Sequence, residues 1–356
     1  MKTESYKKNK LFVVAVDLFC GVGGLTYGLN KSGIKVVAGV DIDERCKFAF
    51  EKNNDGLFIN KSIKEISPKE ILKLYPPKSL KVLVGCAPCQ PFSKHTQKEK
   101  DRESKDDWGL LYHFFKLIKK VEPIVISMEN VPQITKHKVF SDFVEGLASI
   151  KYSVNWQNVY CPDYGIPQNR RRLVLLASKI GKIKLIARTH RPENYKTVKM
   201  AIGNLEPIEA GTSSKKDRLH KSAALSKVNL KRIKESVPGG SWRDWNEDLR
   251  ADCHRKETGN TYVSVYARMG WDKPAPTITT QFFSFGTGRF GHPEQDRALS
   301  IREGAILQTF PSEYEFIPTT SPVGFKKLGK YIGNAVPVRL GEIIGKSIIR
   351  HLEECL

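Results

Sequence analysis

Cys89 is the residue whose type and position most clearly indicate chemistry in this chain. It stands in a Pro88-Cys89-Gln90 turn directly after the apolar run 80–84. Functional groups of open α/β sheets gather at the carboxyl ends of strands, where this thiol would be a nucleophile. Cys86 completes a CxxC spacing, so a redox dithiol, a zinc site and a buried structural cysteine remain alternatives. No second CxxC or His pair supplies further zinc ligands, so no metal site is expected, and Cys86 is interpreted as a packing residue.

Four other polar side chains border apolar runs and would reach the same edge of a sheet. Glu129 ends one run, whereas Gln168, Arg170 and Arg172 alternate at the start of another and would share one face of an extended strand. A carboxylate and two converging arginines would form a polar clamp for a planar heterocycle or a phosphate. The alternatives are a cap or surface charge at Glu129 and a solvated basic strand end at the arginines.

A glycine-rich turn at residues 17–25 (Asp-Leu-Phe-Cys-Gly-Val-Gly-Gly-Leu) follows the first apolar run and precedes a helical pattern. Glycines there let a ligand approach the backbone where helix N–H groups are free. Asp41 ends the next apolar run, and its carboxylate could accept both hydroxyls of a ribose. The glycine spacing is neither that of a dinucleotide site nor that of a P-loop. The turn and the spaced acid favour nucleoside binding over an ordinary strand-to-helix turn.

These residues need a sheet that brings strand ends together, and the chain has the corresponding alternation of elements. Short apolar runs typical of buried strands alternate with segments of helical spacing, which predicts an α/β fold with a mainly parallel, Rossmann-like sheet. The predicted strands are 11–18, 35–40, 80–84, 124–128 and 172–177, and the predicted helices are 24–31, 43–52 and 110–121. Towards the end of the chain, 331–334 is predicted as a short strand or turn. Residues 338–352 are predicted as a helix that folds back on the first domain.

The character of the chain changes near residue 181. Residues 182–260 contain 18 Lys and Arg against 10 Asp and Glu and no sustained buried-strand run. This indicates a smaller, irregular, basic domain. We therefore predict a catalytic domain of 1–184 plus 328–356 and a second domain of 185–327. The net charge of +21 favours a nucleic-acid partner. Ribosomal, membrane-surface and nuclease proteins share such a charge.

The cysteines and the N-terminal segment bear on where the protein works. Seven scattered cysteines do not resemble a disulfide framework and favour a reducing compartment. The first apolar run ends at Asp17, which makes it too short for a signal or membrane segment. A soluble, cytoplasmic, monomeric protein without a membrane partner is expected.

The motifs together resemble the bacterial DNA (cytosine-5) methyltransferase family. The matching segments occur in the family's order over nearly the whole length; they are 17–25, Asp41, 85–93 with its Pro-Cys-Gln, 129–131, 168–172, 297–311 and 333–337. Only residues 182–275 or so lack a match, and there the family carries its variable target-recognition region, which corresponds to about 185–275 of the second domain. Thr277-Ile278 resembles the pair that closes this region.

The resemblance implies transfer of a methyl group from S-adenosylmethionine to carbon 5 of a cytosine flipped out of double-stranded DNA. Cys89 would attack carbon 6, Glu129 would donate to N3 and Arg172 would hold O2. Arg170 would support Glu129 or a phosphate. Pro88, Gln90 and Asn130 would complete the catalytic site, and the polar loop 94–108 would close over the flipped base. DNA contacts are expected from Ser93, His95, Arg170, Arg172 and Thr277.

For the cofactor, the resemblance implies a set of residues from the glycine turn, the strand ends and the C-terminal motif. They are Phe19, Gly21, Val22, Gly23, Gly24, Asp41, Ile42, Ser62, Ile63, Pro88, Leu111, Asn334, Ala335 and Val336. Ser62 departs from the family pattern, in which an Asp commonly stands near the adenine amino group. A hydroxyl binds that group more weakly than a carboxylate does, so a lower cofactor affinity is expected.

Several biological settings remain compatible with the sequence. The enzyme would modify DNA beside a separately acting restriction endonuclease or work as a solitary methylase. A tRNA methyltransferase is disfavoured because the Cys-Phe-Thr tripeptide of that branch is absent from the sequence. A catalytically inactive DNA-binding homologue is disfavoured because Cys89 and Glu129 are both present. The motifs around Cys86 and Cys89 disfavour a redox protein.

Overall fold

The structure, a computed structural model, describes residues 11–88 and 109–356, and a seven-stranded sheet forms the centre of this part. The strand order is β3-β2-β1-β4-β5-β8-β6. The first five strands are parallel, whereas β8 runs antiparallel to both β5 and β6. The strands are β1 Val13–Leu18, β2 Lys35–Asp41, β3 Leu57–Asn60, β4 Leu80–Gly85, β5 Val125–Asn130, β6 Ser153–Tyr160 and β8 Arg171–Ser178. A mainly parallel sheet was expected, and this prediction is confirmed.

Helices cover both faces of the sheet. Their bounds are α1 Gly24–Lys31, α2 Lys47–Asn53, α3 Pro68–Leu74, α4 Leu110–Val121, α5 Lys138–Ser149, α6 Val198–Ile202, α7 Lys227–Glu235, α8 Asp252–Arg255, α9 Glu257–Asn260, α10 Ile301–Leu307, α11 Phe325–Asn334 and α12 Val338–Cys355. Alternate side chains of β1 enter different apolar clusters. Val14 and Val16 pack with Phe114 of α4, whereas Val13 and Ala15 pack in the cluster that contains α1 and α12. Each face of β1 is therefore covered by its own apolar cluster.

Helix α12 folds back on α1, as the sequence predicts. A Cβ built on Gly28 would lie 2.3 Å from the carbonyl oxygen of Val338, so only glycine allows this approach. The contact holds the C-terminal motif beside the glycine-rich turn that precedes α1. Both segments therefore border the same edge of the sheet.

The prediction of a strand or turn at residues 331–334 is wrong, because these residues form the last turn of α11. Leu328 and Ile332 of this helix are fully buried, so tertiary packing maintains the helix through its glycines. Those glycines serve close packing instead. A Cβ on Gly329 would lie 2.4 Å from the Thr280 carbonyl oxygen, and one on Gly333 would lie 2.5 Å from the Thr279 carbonyl oxygen.

The segment after β8 is irregular and contains short helices and the two-residue strand β9 Ala275–Pro276, which pairs with β7 Gln168–Asn169. Its own apolar cluster includes Trp242, Trp245 and Phe285. Buried Arg268 donates to the carbonyls of Ile233, Ser236, His292 and Gln295. These hydrogen bonds satisfy loop carbonyls that strand pairing would satisfy in a sheet. No helix in the described ranges is long and apolar enough to cross a membrane.

Candidate active site

A cavity of about 510 Å³ opens at the carboxyl ends of β1, β2, β4 and β5, next to the junction of α11 and α12. Strand ends of a doubly wound sheet are the usual place for such a site. The structure brings most of the predicted site residues together here. The predicted residues that line the cavity are Phe19, Gly21, Val22, Gly24, Asp41, Ile42, Ser62, Ile63, Pro88, Glu129, Arg170, Arg172, Asn334, Ala335 and Val336.

Two predicted cofactor residues of the described part do not line this cavity. A Cβ on Gly23 would meet Asn54 and Phe50, which shows that this glycine faces α2. Its φ of 86° starts α1 from the left-handed region, so its role is in the turn. Leu111 is 2% exposed and packs in the core, whereas Leu110, one helical step earlier, lines the cavity. The prediction was therefore off by one position of α4.

The glycine turn and Asp41 form one hydrogen-bonded unit. The Gly21 N–H donates to Asp41 Oδ2 at 2.8 Å, and the Asp43 N–H donates to Oδ1 at 2.8 Å. Burial raises the pKa of the Asp41 carboxyl, although the two N–H donors oppose this. Each carboxylate oxygen accepts more than one hydrogen bond, so both remain able to accept ligand hydroxyls.

The buried polar atoms on the cavity lining that have no hydrogen-bond partner in the described structure include Asp17 Oδ1, the Tyr331 hydroxyl and Glu129 Oε1. Asp17 Oδ2 accepts from Thr26 Oγ1 at 2.6 Å, and burial raises the pKa of Asp17 to about 7. An unpaired buried polar group costs about 1–3 kcal/mol, which a ligand can recover by supplying the partner. A carboxylate and a hydroxyl suit the ammonium group and the hydroxyls of S-adenosylmethionine. The residues present therefore fit this cofactor.

Sequence analysis did not select Asp17 and Tyr331 as individual site residues. Asp17 begins the glycine-rich turn directly after the first apolar run, and this position was the available signal in the sequence. Tyr331 lies one helical turn before Asn334, so a helical assignment of 331–334 would have placed both on one face. The incorrect strand or turn assignment concealed it.

Ser62 and Ile63 lie on the cavity as predicted. The Ser62 hydroxyl oxygen accepts a 3.3 Å hydrogen bond from the Lys64 N–H, and its own N–H donates to Glu65. The hydroxyl hydrogen can still be donated to a ligand acceptor. The lower cofactor affinity that is expected from Ser62 in place of an Asp therefore stays a prediction.

Glu129 is 2% exposed, so it is not a surface charge. Its Oε1 lies 3.0 Å from Arg172 Nε, although the N–H is not directed well enough for a hydrogen bond. Its Oε2 lies 2.7 Å from Cys86 Sγ, which donates to it. A buried carboxyl with hydrogen-bonding capacity left on one oxygen is suited to bind a polar ligand group.

Cys86 packs against an apolar cluster, as interpreted from the sequence, and its thiol also contacts the Glu129 carboxyl. Gly85 of β4 is opposite Met128 of β5, so the next residues, Cys86 and Glu129, are lateral neighbours. The Cys86 N–H still donates to the Leu18 carbonyl, which extends the strand geometry by one residue. The register of two parallel strands thus places the thiol against the carboxyl.

Asn130 ties the segment that leads to Cys89 to the end of β5. Its Nδ2 donates to the Ala87 carbonyl at 3.1 Å, and its Oδ1 accepts from the Val131 N–H at 2.8 Å. Pro88 follows and lines the cavity. Cys89, Gln90, Ser93, His95 and the loop 94–108 lie outside the described residues. Pro88, the last described residue before Cys89, therefore lies at the edge of the cavity that holds Glu129.

Arg170 and Arg172 both line the cavity, as the alternation of an extended segment predicts, but their side chains make different contacts. The buried Arg170 donates to the carbonyls of Ile278, Gly333 and Ala335. It thereby joins the C-terminal motif to the start of the segment after β9. The Thr277 hydroxyl donates to the Asn169 carbonyl at 2.6 Å, which fixes β7 against β9. The structure thus places Arg170 among backbone carbonyls, whereas Arg172 faces the carboxyl of Glu129.

Comparisons with known proteins cover nearly the whole chain. The model of the family described as C-5 cytosine-specific DNA methylase matches residues 13–350. The Type II methylase M.HgiDII of Herpetosiphon aurantiacus is 53% identical over 341 residues, 95% of either chain. The Type II methyltransferase M.Sau96I of Staphylococcus aureus is 29% identical over 98% of this chain and 78% of its own length.

Solved structures show a similar fold. One titled a putative DNA modification methyltransferase encoded within a prophage, from E. coli, superposes with a TM-score of 0.70 at 22% identity, over 96% of this chain and 99% of that one. The Entamoeba histolytica methyltransferase EhMeth gives a TM-score of 0.67 at 17% identity, over 96% of this chain and 98% of that one. At such identities the likeness concerns the fold alone.

Proposed function

Because the chain belongs to the C-5 cytosine-specific DNA methylase family, we propose that it methylates carbon 5 of a flipped-out cytosine through a covalent Cys89 adduct. It is a cytosine-5 DNA methyltransferase, and its relatives are Type II methylases of restriction-modification systems. The observation that carries the finer proposal is the buried carboxyl of Glu129, placed between Arg172 and Cys86 on a cavity shared with the glycine turn.

Carbon 5 of cytosine is a weak nucleophile until a group adds to carbon 6. In the proposal, the Cys89 thiolate forms a bond to carbon 6 while Glu129 gives a proton to N3, which leaves an enamine. Arg172 binds the O2 oxygen of the base and keeps the Glu129 carboxyl in place. After methylation, the carbon 5 proton leaves to a base, the bond from Cys89 to carbon 6 breaks to release the thiolate, and the N3 proton returns to Glu129, which restores the aromatic ring.

Bound S-adenosylmethionine supplies the electrophilic methyl group for carbon 5. Asp41 would accept the ribose hydroxyls, because its two oxygens are held in position by the N–H groups of Gly21 and Asp43. Asp17 would pair with the ammonium group, since its unpaired Oδ1 is buried on the same lining. Both carboxylates thus act by binding and orienting.

The target carbon lies inside a stacked duplex, so the base must be extruded at a cost of a few kcal/mol. The basic residues of 182–260 are proposed to bind backbone phosphates and read base edges, which would offset this cost. Thr277 and Arg170 connect the segment that follows this region, at β9 and Ile278, to the cavity. A restriction endonuclease acting separately on the same sequence is the proposed biological partner.

Bisulfite sequencing of DNA from cells that express the protein tests this function directly. We expect protected cytosines at one defined duplex sequence and unprotected cytosines in cells with an empty vector. Protected cytosines that occur only in cellular RNA would contradict DNA as the substrate. Full conversion of every cytosine in an expressing culture would contradict the activity.

A further inference from the structure

We propose that Cys86 is a positioning residue whose thiol orients the Glu129 carboxyl for catalysis. The inference rests on the proposed role of Glu129. It adds a second residue, Cys86, to which the sequence motifs assign no role in catalysis. Its basis is the 2.7 Å contact from Cys86 Sγ to Glu129 Oε2, made inside the protein on the lining of the site.

The register of β4 and β5 brings Cys86 and Glu129 into contact. The pairing of Gly85 with Met128 puts Cys86 beside Glu129, and the bond of the Cys86 N–H to the Leu18 carbonyl keeps its backbone extended. Neighbouring side chains of paired strands point to the same face. The thiol and the carboxyl meet without any rearrangement of the backbone.

The carboxyl of Glu129 is held differently at its two oxygens. Arg172 approaches Oε1 as a charge at 3.0 Å without a directed hydrogen bond, whereas Cys86 donates a directed bond to Oε2. The thiol therefore determines the rotation of the carboxyl plane. Oε1 is left with hydrogen-bonding capacity towards the cavity, where N3 of the base would bind.

The thiol suits this position because it can donate a hydrogen bond to Oε2. No donor at all would let the carboxyl rotate towards the arginine. Cys86 also lies three residues before Cys89, so the same bond fastens the start of the nucleophile turn to the Glu129 strand.

A double-mutant cycle separates this role from simple packing. Single-turnover transfer of a tritiated methyl group is measured for wild type, Cys86→Ala, Glu129→Gln and the double variant. We expect Cys86→Ala to slow transfer about tenfold in the wild-type background and less than about twofold beside Glu129→Gln, since contacting residues are not additive. Cys86→Ser, which keeps a donor, should recover most of the rate.

Cys161→Ala is the matched control, because Cys161 is a buried cysteine of the apolar cluster against which Cys86 packs. Its side chain is buried in that cluster and does not line the cavity, so the rate should stay within about twofold of wild type. Binding of S-adenosylhomocysteine, measured by calorimetry, should be unchanged in all Cys86 variants. It also shows that each variant is folded.

Different results would contradict the catalytic role of Glu129 and the positioning role of Cys86. Wild-type transfer by Glu129→Gln would contradict the role of Glu129 and remove the basis for a positioning role of Cys86. Slow transfer by Glu129→Gln, together with an equal Cys86→Ala effect in both backgrounds, would overturn the inference alone. No loss in Cys86→Ala, or no recovery in Cys86→Ser, would likewise overturn it.

Discussion

Arg172 of β8 reaches Glu129 of β5 across an antiparallel strand pair, with 3.0 Å between Nε and Oε1. Glu129 is opposite Val174 in the register, so Arg172 is its diagonal neighbour on the same face. Only an antiparallel strand added to the parallel sheet brings this arginine to the carboxyl ends of the other strands. The topology thus supplies the cation that a buried carboxyl needs.

Removing that cation should slow methyl transfer more than it weakens DNA binding. We expect Arg172→Gln to lower the single-turnover rate by about 100-fold, the loss typical when one donor to the charge that develops on the base is removed. Filter binding of duplex DNA should change far less. Arg171→Gln is the matched control, because Arg171 stacks on the Tyr160 ring instead, and it should transfer at nearly the wild-type rate.

Asp41 is expected to act through cofactor affinity. Asp41→Asn loses the charge that accepts hydroxyls and turns one acceptor into a donor facing the N–H of Gly21 or Asp43. Calorimetry with S-adenosylhomocysteine should show affinity reduced by about 10- to 100-fold, the loss of one or two charged hydrogen bonds. Unchanged affinity would place the ribose elsewhere.

The pKa of Asp17, raised to about 7 by burial, makes cofactor binding dependent on pH. A cationic ammonium binds the ionised form, so the affinity should be constant above pH 7 and fall about tenfold per pH unit below it. Titrations with S-adenosylhomocysteine between pH 5.5 and 8.5 check this slope. Asp17→Asn should bind weakly with a flat profile.

The same carboxyl contributes to stability with the opposite dependence. Its folded pKa lies above the ordinary value of 3.8, so the folded protein without cofactor loses stability as pH rises from about 4 to 7. The free energy of unfolding of Asp17→Asn relative to wild type should therefore increase over this window. A constant difference would contradict the raised pKa.

The basic region should determine the DNA sequence that is methylated. Replacing residues 182–260 with the corresponding segment of a relative that methylates a different sequence should transfer that relative's preference, read by bisulfite sequencing. Because Trp242 and Trp245 pack with Phe285 and Ala298 beyond this segment, far-UV circular dichroism should first show that the exchanged protein is folded. An unchanged target sequence would place recognition outside this region.

Much of the parallel sheet could be predicted because buried strands leave a strong apolar pattern. Helices α1 and α4 agree with the predicted bounds, and five predicted strands are present with shifts of one or two residues. By contrast, β6 Ser153–Tyr160 was not predicted. It is an edge strand with exposed Trp156, so it has no continuous apolar run. An edge strand pairs on one side only and needs less burial.

Residues of the site could be predicted where a sequence motif identifies them. They were harder to predict where their position depends on tertiary packing. Glu129 and Arg172 stand at strand ends, and the structure places both on the cavity. The thiol of Cys86 could not be assigned to Glu129 from spacing, because the contact depends on the register of β4 and β5. Leu110 instead of Leu111 depends on the rotation of α4, which sequence period fixes only within one residue.

The predicted roles of Cys89 and the domain boundaries remain predictions. The division at residues 184 and 328 follows from composition, whereas α2 of the first part shares an apolar cluster with α10 of the second. Residues 89–108, which include Cys89, lie outside the described structure.

Transfer of a tritiated methyl group to duplex DNA by Cys89→Ser tests the central claim most directly. A serine hydroxyl is a far poorer nucleophile than a thiolate at neutral pH, so transfer should fall below detection while S-adenosylhomocysteine binds as in wild type. Cys161→Ala, treated in parallel, should transfer normally. Substantial methylation by Cys89→Ser with intact cofactor binding would contradict covalent catalysis by this residue.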